Sequence, residues 1–285
     1  MPPPEMPQRP GTPQSPERTA ATPERAETPD ALLREALGED PSRPLLTFYD
    51  DETGERVELS VATYENWVAK TANLLVDGLA VEPGSTVALL LPLHWQAAVW
   101  LSACWAVGVV AEPGGDPAAA DVVVSGPDTL EQAAAAGAPD TVGLSLRPMN
   151  ARLSEIPEGV TDYAAEVLTY GDRFVPAVPP APSTPALRVG SRTWSGAQVT
   201  AAARDQAAAW GLGRADRVLT ATPFGHLASV TAGLLAPLAA GAGIVLCRHL
   251  DEVVLARRVA DERVTAVVGM TAPGGSGIRA FSVPS

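Results

Sequence analysis

Few side chains in this chain are equipped for chemistry. Lysine occurs once, at Lys70, histidine three times, at His94, His226 and His249, and cysteine twice, at Cys104 and Cys247. Lys70 falls on a helical stripe with Asn66, Asn73 and Asp77, opposite the apolar positions Tyr64, Trp67, Val68, Leu74 and Leu75. That spacing predicts a solvated face and no catalytic role for the ammonium. Cys104 and Cys247 stand alone inside apolar runs, which predicts buried, reduced thiols of a cytoplasmic protein and no disulfide framework or metal cluster. No metal ligand set and no catalytic residue is assigned. The chain has no HExxH and no G-x-S-x-G, and Gly274 to Gly277 lacks the lysine of a phosphate loop. Acidic residues are scattered without a defensible pair.

The elements that would position these groups are clearest between Ser85 and Pro113. Val87 to Leu91 is apolar at every position, as a strand buried on both faces should be. Pro92 stops it, His94 to Val107 reads as a helix apolar nearly all round, Gly108 fits its C-terminal cap, and Val109 to Ala111 reads as a returning strand. This is a βαβ unit, the seed of a parallel sheet. Upstream, Ala31 to Leu37 reads as a helix, and Pro44 to Tyr49 and Glu55 to Leu59 as a hairpin turning at Asp50 to Gly54. Ser60 or Thr63 caps the helix that carries Lys70.

The pattern then repeats. Gly78 to Gly108 and Gly211 to Gly241 are equally spaced, and each interval holds a strand, a proline, a histidine and an apolar helix: Pro92 and His94 in one, Pro223 and His226 in the other. The fold class read from this is α/β, with two tandem related lobes and mostly parallel sheets. The division is residues 1–30, a disordered proline-rich tail; 31–146, a first lobe; 147–185, a proline-rich connector; 186–270, a second lobe; and 271–285, a flexible tail. A net charge of −13 excludes nucleic acid and anionic membrane as partners. The start lacks the apolar core of a signal peptide, and the longest apolar run, Val87 to Ala111, is broken by Pro92, His94 and Gln96.

Four segments in this order resemble the large N-terminal domain of the adenylate-forming superfamily, the acyl-CoA synthetases and AMP-dependent ligases. They are VEPGSTVALLLP, WAVGVVAEP, GLGRADRVLTATPFGHLASVTAGLLAPLAAGAGIVLC and DEVVLARRVADERVTAVVG. The resemblance covers roughly residues 44 to 269 and implies ATP-dependent activation of a carboxylate, with ATP, AMP or acyl-CoA as the cofactors to consider. It also implies a Ser/Thr/Gly loop ending in Pro-Lys between the strand at Pro185 to Leu187 and the helix near Ser195. Here that interval is only RVGSRT, Arg188 to Thr193. The acidic Mg²⁺ residue, the ribose aspartate and the small domain bearing the catalytic lysine would all follow the last residue given.

The family's aromatic–histidine pair, which lines the nucleotide or acyl pocket, maps onto Phe224 and His226, offset by Gly225. These two are the pocket candidates. Tyr170-Gly171-Asp172-Arg173 imitates the family's Gly-Asp ribose motif but lies in the linker, where an ordinary turn is expected. The resulting expectation is a truncated, catalytically incomplete relative that binds a small carboxylate, a nucleotide or a protein partner. The alternatives are a subunit of a split ligase completed in trans, and a purely structural interaction protein.

Overall fold

Val87 to Leu91 does sit at the centre of a sheet, and the chain's two parallel sheets are built outward from it and its counterpart. A computed structural model describes Met1, residues 26–274 and residues 277–283. In chain order the elements are α1 (Pro29–Glu39), β1 (Pro44–Asp50), β2 (Glu55–Ser60), α2 (Val61–Asn73), β3 (Thr86–Leu90), α3 (Trp95–Val107) and β4 (Val110–Pro113). There follow β5 (Val122–Ser125), α4 (Leu130–Ala135), β6 (Asp140–Gly143), β7 (Val160–Asp162), α5 (Tyr163–Glu166), β8 (Pro185–Val189), β9 (Arg192–Ser195), α6 (Gly196–Ala209) and β10 (Arg217–Thr220). The last are α7 (Leu227–Val230), α8 (Ala236–Ala239), β11 (Gly243–Arg248), α9 (Glu252–Asp261), β12 (Ala266–Val268) and β13 (Arg279–Phe281), with a π-type turn joining α7 to α8.

One sheet has seven strands in the order β7-β6-β5-β3-β4-β8-β9, and the other six in the order β13-β12-β10-β11-β1-β2. Each is parallel except for one antiparallel hairpin at an edge, β8–β9 in the first and β1–β2 in the second. The fold is therefore α/β with two mostly parallel sheets, as the sequence suggests.

The halves are not laid side by side, however. Hairpin β1–β2 and hairpin β8–β9 hold equivalent places in the repeat, each followed by a capped helix, and they are exchanged. β1 pairs with β11 of the other half (Leu46 opposite Ile244), and β8 pairs with β4 (Leu187 opposite Ala111). The boundary at residue 147 thus does not separate two sheets.

Two further segments differ from the sequence division. The expected connector 147–185 adds β7 to the first sheet and buries Tyr163 and Val167, and the expected tail adds β13 beside β12. Three-residue edge strands carry too short a pattern to announce themselves. At the other end, residues 2–25 of the expected tail lie outside the described residues. From Ala26 onward the chain is packed: Ala26 is buried, and its N–H donates to Glu35 Oε1 at 2.6 Å.

Period-two alternation explains the layering. Val87 and Leu89 of β3, Ile244 and Leu246 of β11 and Val122 and Val124 of β5 face one shared core that also takes Phe48, Trp100, Leu101, Leu187 and Leu235. The intervening Val245 and Cys247 face α9, and Ala88 and Val123 face α4. Central helices therefore lie between the two sheets, with α4 and α9 outside. Twelve of the thirteen residues of α3 are buried, which accounts for its lack of a polar stripe. Gly108, at φ 86°, ends that helix in the left-handed region.

Candidate functional site

The repeated Pro-x-His and Pro-x-x-His corners lie where β3 and β10 hand over to their helices, at the carboxyl ends of the central strands. In open parallel sheets this is where ligands bind. Each histidine is the N-cap of its helix. His94 Nδ1 accepts the Gln96 N–H at 3.2 Å, and His226 Nδ1 accepts the Ser229 N–H at 3.1 Å, while the Ser229 hydroxyl accepts the His226 N–H at 3.2 Å. Both rings thus satisfy donors that every helix start leaves over.

Their surroundings differ. His226 is exposed. His94 is 1% exposed, with its ring edge-on to Phe48 at 4.5 Å and its Nε2 3.7 Å from Glu55 Oε2. Because Nδ1 accepts, the neutral ring carries its proton on Nε2, aimed at a carboxylate too distant to complete a hydrogen bond. Burial holds the His94 pKa below the ordinary histidine value against the pull of Glu55.

Between these corners runs a cleft of about 380 Å³, lined by Leu89, Leu91, Pro92, Thr129, Phe224 and Gly225 among others. Phe224, 7% exposed, forms part of its wall. His226 is not among the lining residues, so the two pocket candidates part company. Among the described residues no lining side chain is basic, and Asp128 at the rim is acidic. The Thr129 hydroxyl is committed to Leu90 O at 3.1 Å and to Ser125 Oγ at 2.8 Å. Walls of this kind suit an apolar group and offer a polyphosphate nothing to hold it.

The interval Arg188 to Thr193 is a tight antiparallel hairpin. Val189 pairs with Arg192 and Arg188 with Thr193, leaving Gly190 (φ 57°) and Ser191 at the turn. Ser195 then caps α6 directly, in a capping box with Gln198.

Lys70 is not solvated as its stripe implies. Its Nζ donates to Tyr170 O at 2.6 Å, and Asn73 beside it donates to Gly171 O at 2.9 Å and Arg173 O at 3.1 Å. The Tyr170–Arg173 stretch is an irregular, bent segment whose carbonyls are tied to α2. Both cysteines are buried; burial raises the Cys104 thiol, and pushes Cys247 up to about 11.

Sequence reading also misses a three-donor cluster. Asp50, Glu52 and His249 place ligand atoms within 4.8 Å of one another, with His249 Nδ1 2.9 Å from Asp50 and 3.0 Å from Glu52. The β1–β11 pairing creates it from residues some two hundred positions apart. Arg248 Nη1, 3.9 Å from Asp50, already supplies positive charge there.

This geometry is found in known proteins. No family model matches the chain. Its fold is that of the N-terminal domain of acyl-CoA synthetases: the crystal structure of the Brucella canis acyl-CoA synthetase superposes with a TM-score of 0.69 at 18% identity, over 87% of this chain and 48% of that one. The N-terminal domain of FACL13 from Mycobacterium tuberculosis gives 0.65, also at 18% identity, over 85% and 62%. The chain thus spans about half to three-fifths of those structures. A Mycobacterium tuberculosis protein described as a TIGR03089 family protein is 43% identical over 246 residues, covering 84% of this chain and 96% of its relative. The chain belongs to that family. Among the described residues, no helix is long and apolar enough to cross a membrane.

Proposed function

We propose that the chain is an AMP-binding-fold relative of the acyl-activating enzymes that holds a small ligand in its inter-sheet cleft and does not itself form acyl adenylates. The observation that carries this is the Arg188–Thr193 hairpin. Where the adenylate-forming enzymes need a loop of free backbone N–H groups, hydroxyls and a lysine, these residues pair with one another across a two-residue turn. The chain's one lysine is bonded to Tyr170 O. Withholding such donors removes transition-state charge stabilisation of on the order of 3 kcal/mol per donor.

The cleft supports the other half of the proposal. Leu89, Leu91, Pro92 and Phe224 give it apolar walls that complement the acyl portion of an acyl ligand better than its nucleotide. The test is ATP–pyrophosphate exchange with a panel of carboxylic acids, run beside calorimetric titration with ATP, AMP and acyl-CoA. The expected result is no exchange, with binding of the acyl ligand alone. Robust exchange by the purified chain would refute the proposal. Exchange that arises only on adding a lysine-bearing partner would make the chain one subunit of a split ligase.

A further inference from the structure

A second cavity lies far from the cleft in sequence and takes a different chemistry. About 250 Å³ in volume, it is floored by α1, α2 and α3 and roofed by residues 174–179. Val68, Ala69, Ala106, Phe174, Val175 and Pro176 make it mainly apolar. The roof is a fixed part of the fold, because Lys70 and Asn73 of α2 hold the carbonyls of Tyr170, Gly171 and Arg173 just before it.

Two carboxylates line this cavity, and one of them, Glu65, has acceptor capacity open to it. The Asp30 side chain is only 10% exposed; its Oδ2 takes Arg34 at 2.7 Å, while its Oδ1 is buried with no partner. Glu65, half-buried, has neither a hydrogen-bond nor an ion-pair partner among the described residues. Burial, and then the charge of Asp172, raise its pKa above the usual carboxylate value, with Arg173 pulling the other way. Arg34 offsets one of the two charges, so the pocket retains an acceptor excess that a donor cation would satisfy.

We propose that this pocket binds a primary amine carried on a short apolar body, with the ammonium at Glu65 and the body between Ala69, Ala106 and Phe174. Size sets the class. A dry cavity of about 150 Å³ admits benzene, so 250 Å³ leaves room for a ring and a two-carbon aminoalkyl arm. An alkyl or aryl carboxylate of the same shape brings negative charge to two acids and is rejected.

The probes are phenethylamine and 3-phenylpropionate, titrated calorimetrically into the full chain. One equivalent of amine binds and the carboxylate does not. Glu65→Gln, which keeps the shape of a half-buried side chain, weakens the amine about tenfold by removing a charge-assisted bond. Ala106→Phe, on the partly exposed edge of α3, fills the cavity and abolishes binding, while circular dichroism confirms that both variants are folded. The inference is overturned by absence of amine binding, by equal binding of the carboxylate, or by an affinity unchanged in Glu65→Gln. It does not depend on the cleft, since neither probe nor variant touches residues 89–92 or 223–225.

Discussion

Replacing His94 tests whether the repeated histidines are structural, and the size of the effect can be worked from their contacts. His94→Ala removes the N-cap acceptor of α3, at about 1 kcal/mol. It removes the Nε2–H that faces Glu55 Oε2 across 3.7 Å, a polar contact longer than a hydrogen bond, at less than about 1 kcal/mol. It also removes the ring contacts with Phe48 and Trp95, 4.5 and 5.7 Å away, at roughly 1 kcal/mol. The total is roughly 2–3 kcal/mol, read as a lowered urea midpoint at constant slope. Two conservative changes divide it. His94→Asn places an acceptor where Nδ1 was and keeps the cap; His94→Gln reaches where Nε2 was and keeps the donor toward Glu55. Both retain more stability than His94→Ala. His226→Ala, at the exposed equivalent, loses only its cap, about 1 kcal/mol.

The pH dependence has a definite sign. Burial lowers the folded pKa of His94, so between that value and the unfolded value, about 6.5, the unfolded chain binds the extra proton. The stability is fully present above about pH 6.5 and falls as pH drops below it, at no more than about 1.4 kcal/mol per pH unit. Asp50, Asp51 and Glu262, whose folded pKa values are lowered, lose their contribution only on the acid side of the carboxylate range. A wild-type decline between pH 6.5 and 5 that flattens in His94→Asn is expected. If His94→Ala costs no more than His226→Ala, or the decline persists without the ring, the reasoning fails.

Two other outcomes follow from the exchanged hairpins. Arg258 of α9 grips Asp51 in the β1–β2 turn through two bonds, 2.8 and 2.6 Å, with side chains only 10% and 11% exposed. Asp51→Ala strands that guanidinium and costs about 3–5 kcal/mol in equilibrium unfolding, whereas the double change with Arg258→Met recovers much of the loss; a single-variant cost below 1 kcal/mol would count against the pair. Residues 1–183 and 184–285 expressed apart lack each other's edge hairpins. Each is expected to show broad, uncooperative unfolding, and a mixture of the two to regain a sharp transition; a cooperative transition in either half alone would contradict the exchange.

Which parts of this architecture were legible follows from what each part depends on. The β3–α3–β4 unit depends on its own residues: an apolar run, a proline stop, a helix without a polar face and a glycine cap. It appears as read. The capping role of His226 is likewise local, resting on Ser229 three positions on. The hairpin exchange is not local, because β1 carries the same alternation whichever parallel strand it meets, and only the closed fold selects β11. Everything built on that choice was hidden with it: Glu55 beneath His94, Arg258 on Asp51, and the Asp50, Glu52 and His249 cluster. Lys70 failed differently. Its stripe was correctly polar, but a polar face can be covered by backbone as well as by water, and the carbonyls of residues 170–173 cover it.

The two corners also constrain what the cleft can do. A histidine that transfers protons must bring one nitrogen to the reacting group. His94 has committed Nδ1 to its helix and sealed Nε2 against Glu55 in the core. His226 Nε2 has no hydrogen-bond partner among the described residues, but Nδ1 fixes its ring at the helix start, and Phe224, not the ring, forms the cleft wall. The unit that repeats therefore spends its titratable side chain on starting helices. The cleft between the repeats is left with carbon walls, a committed threonine and an acidic rim. Such a surface can bind and orient an apolar group but, among its lining residues, carries no histidine, lysine or arginine to act on it, which is the physical ground for proposing a binding protein on an enzyme's fold.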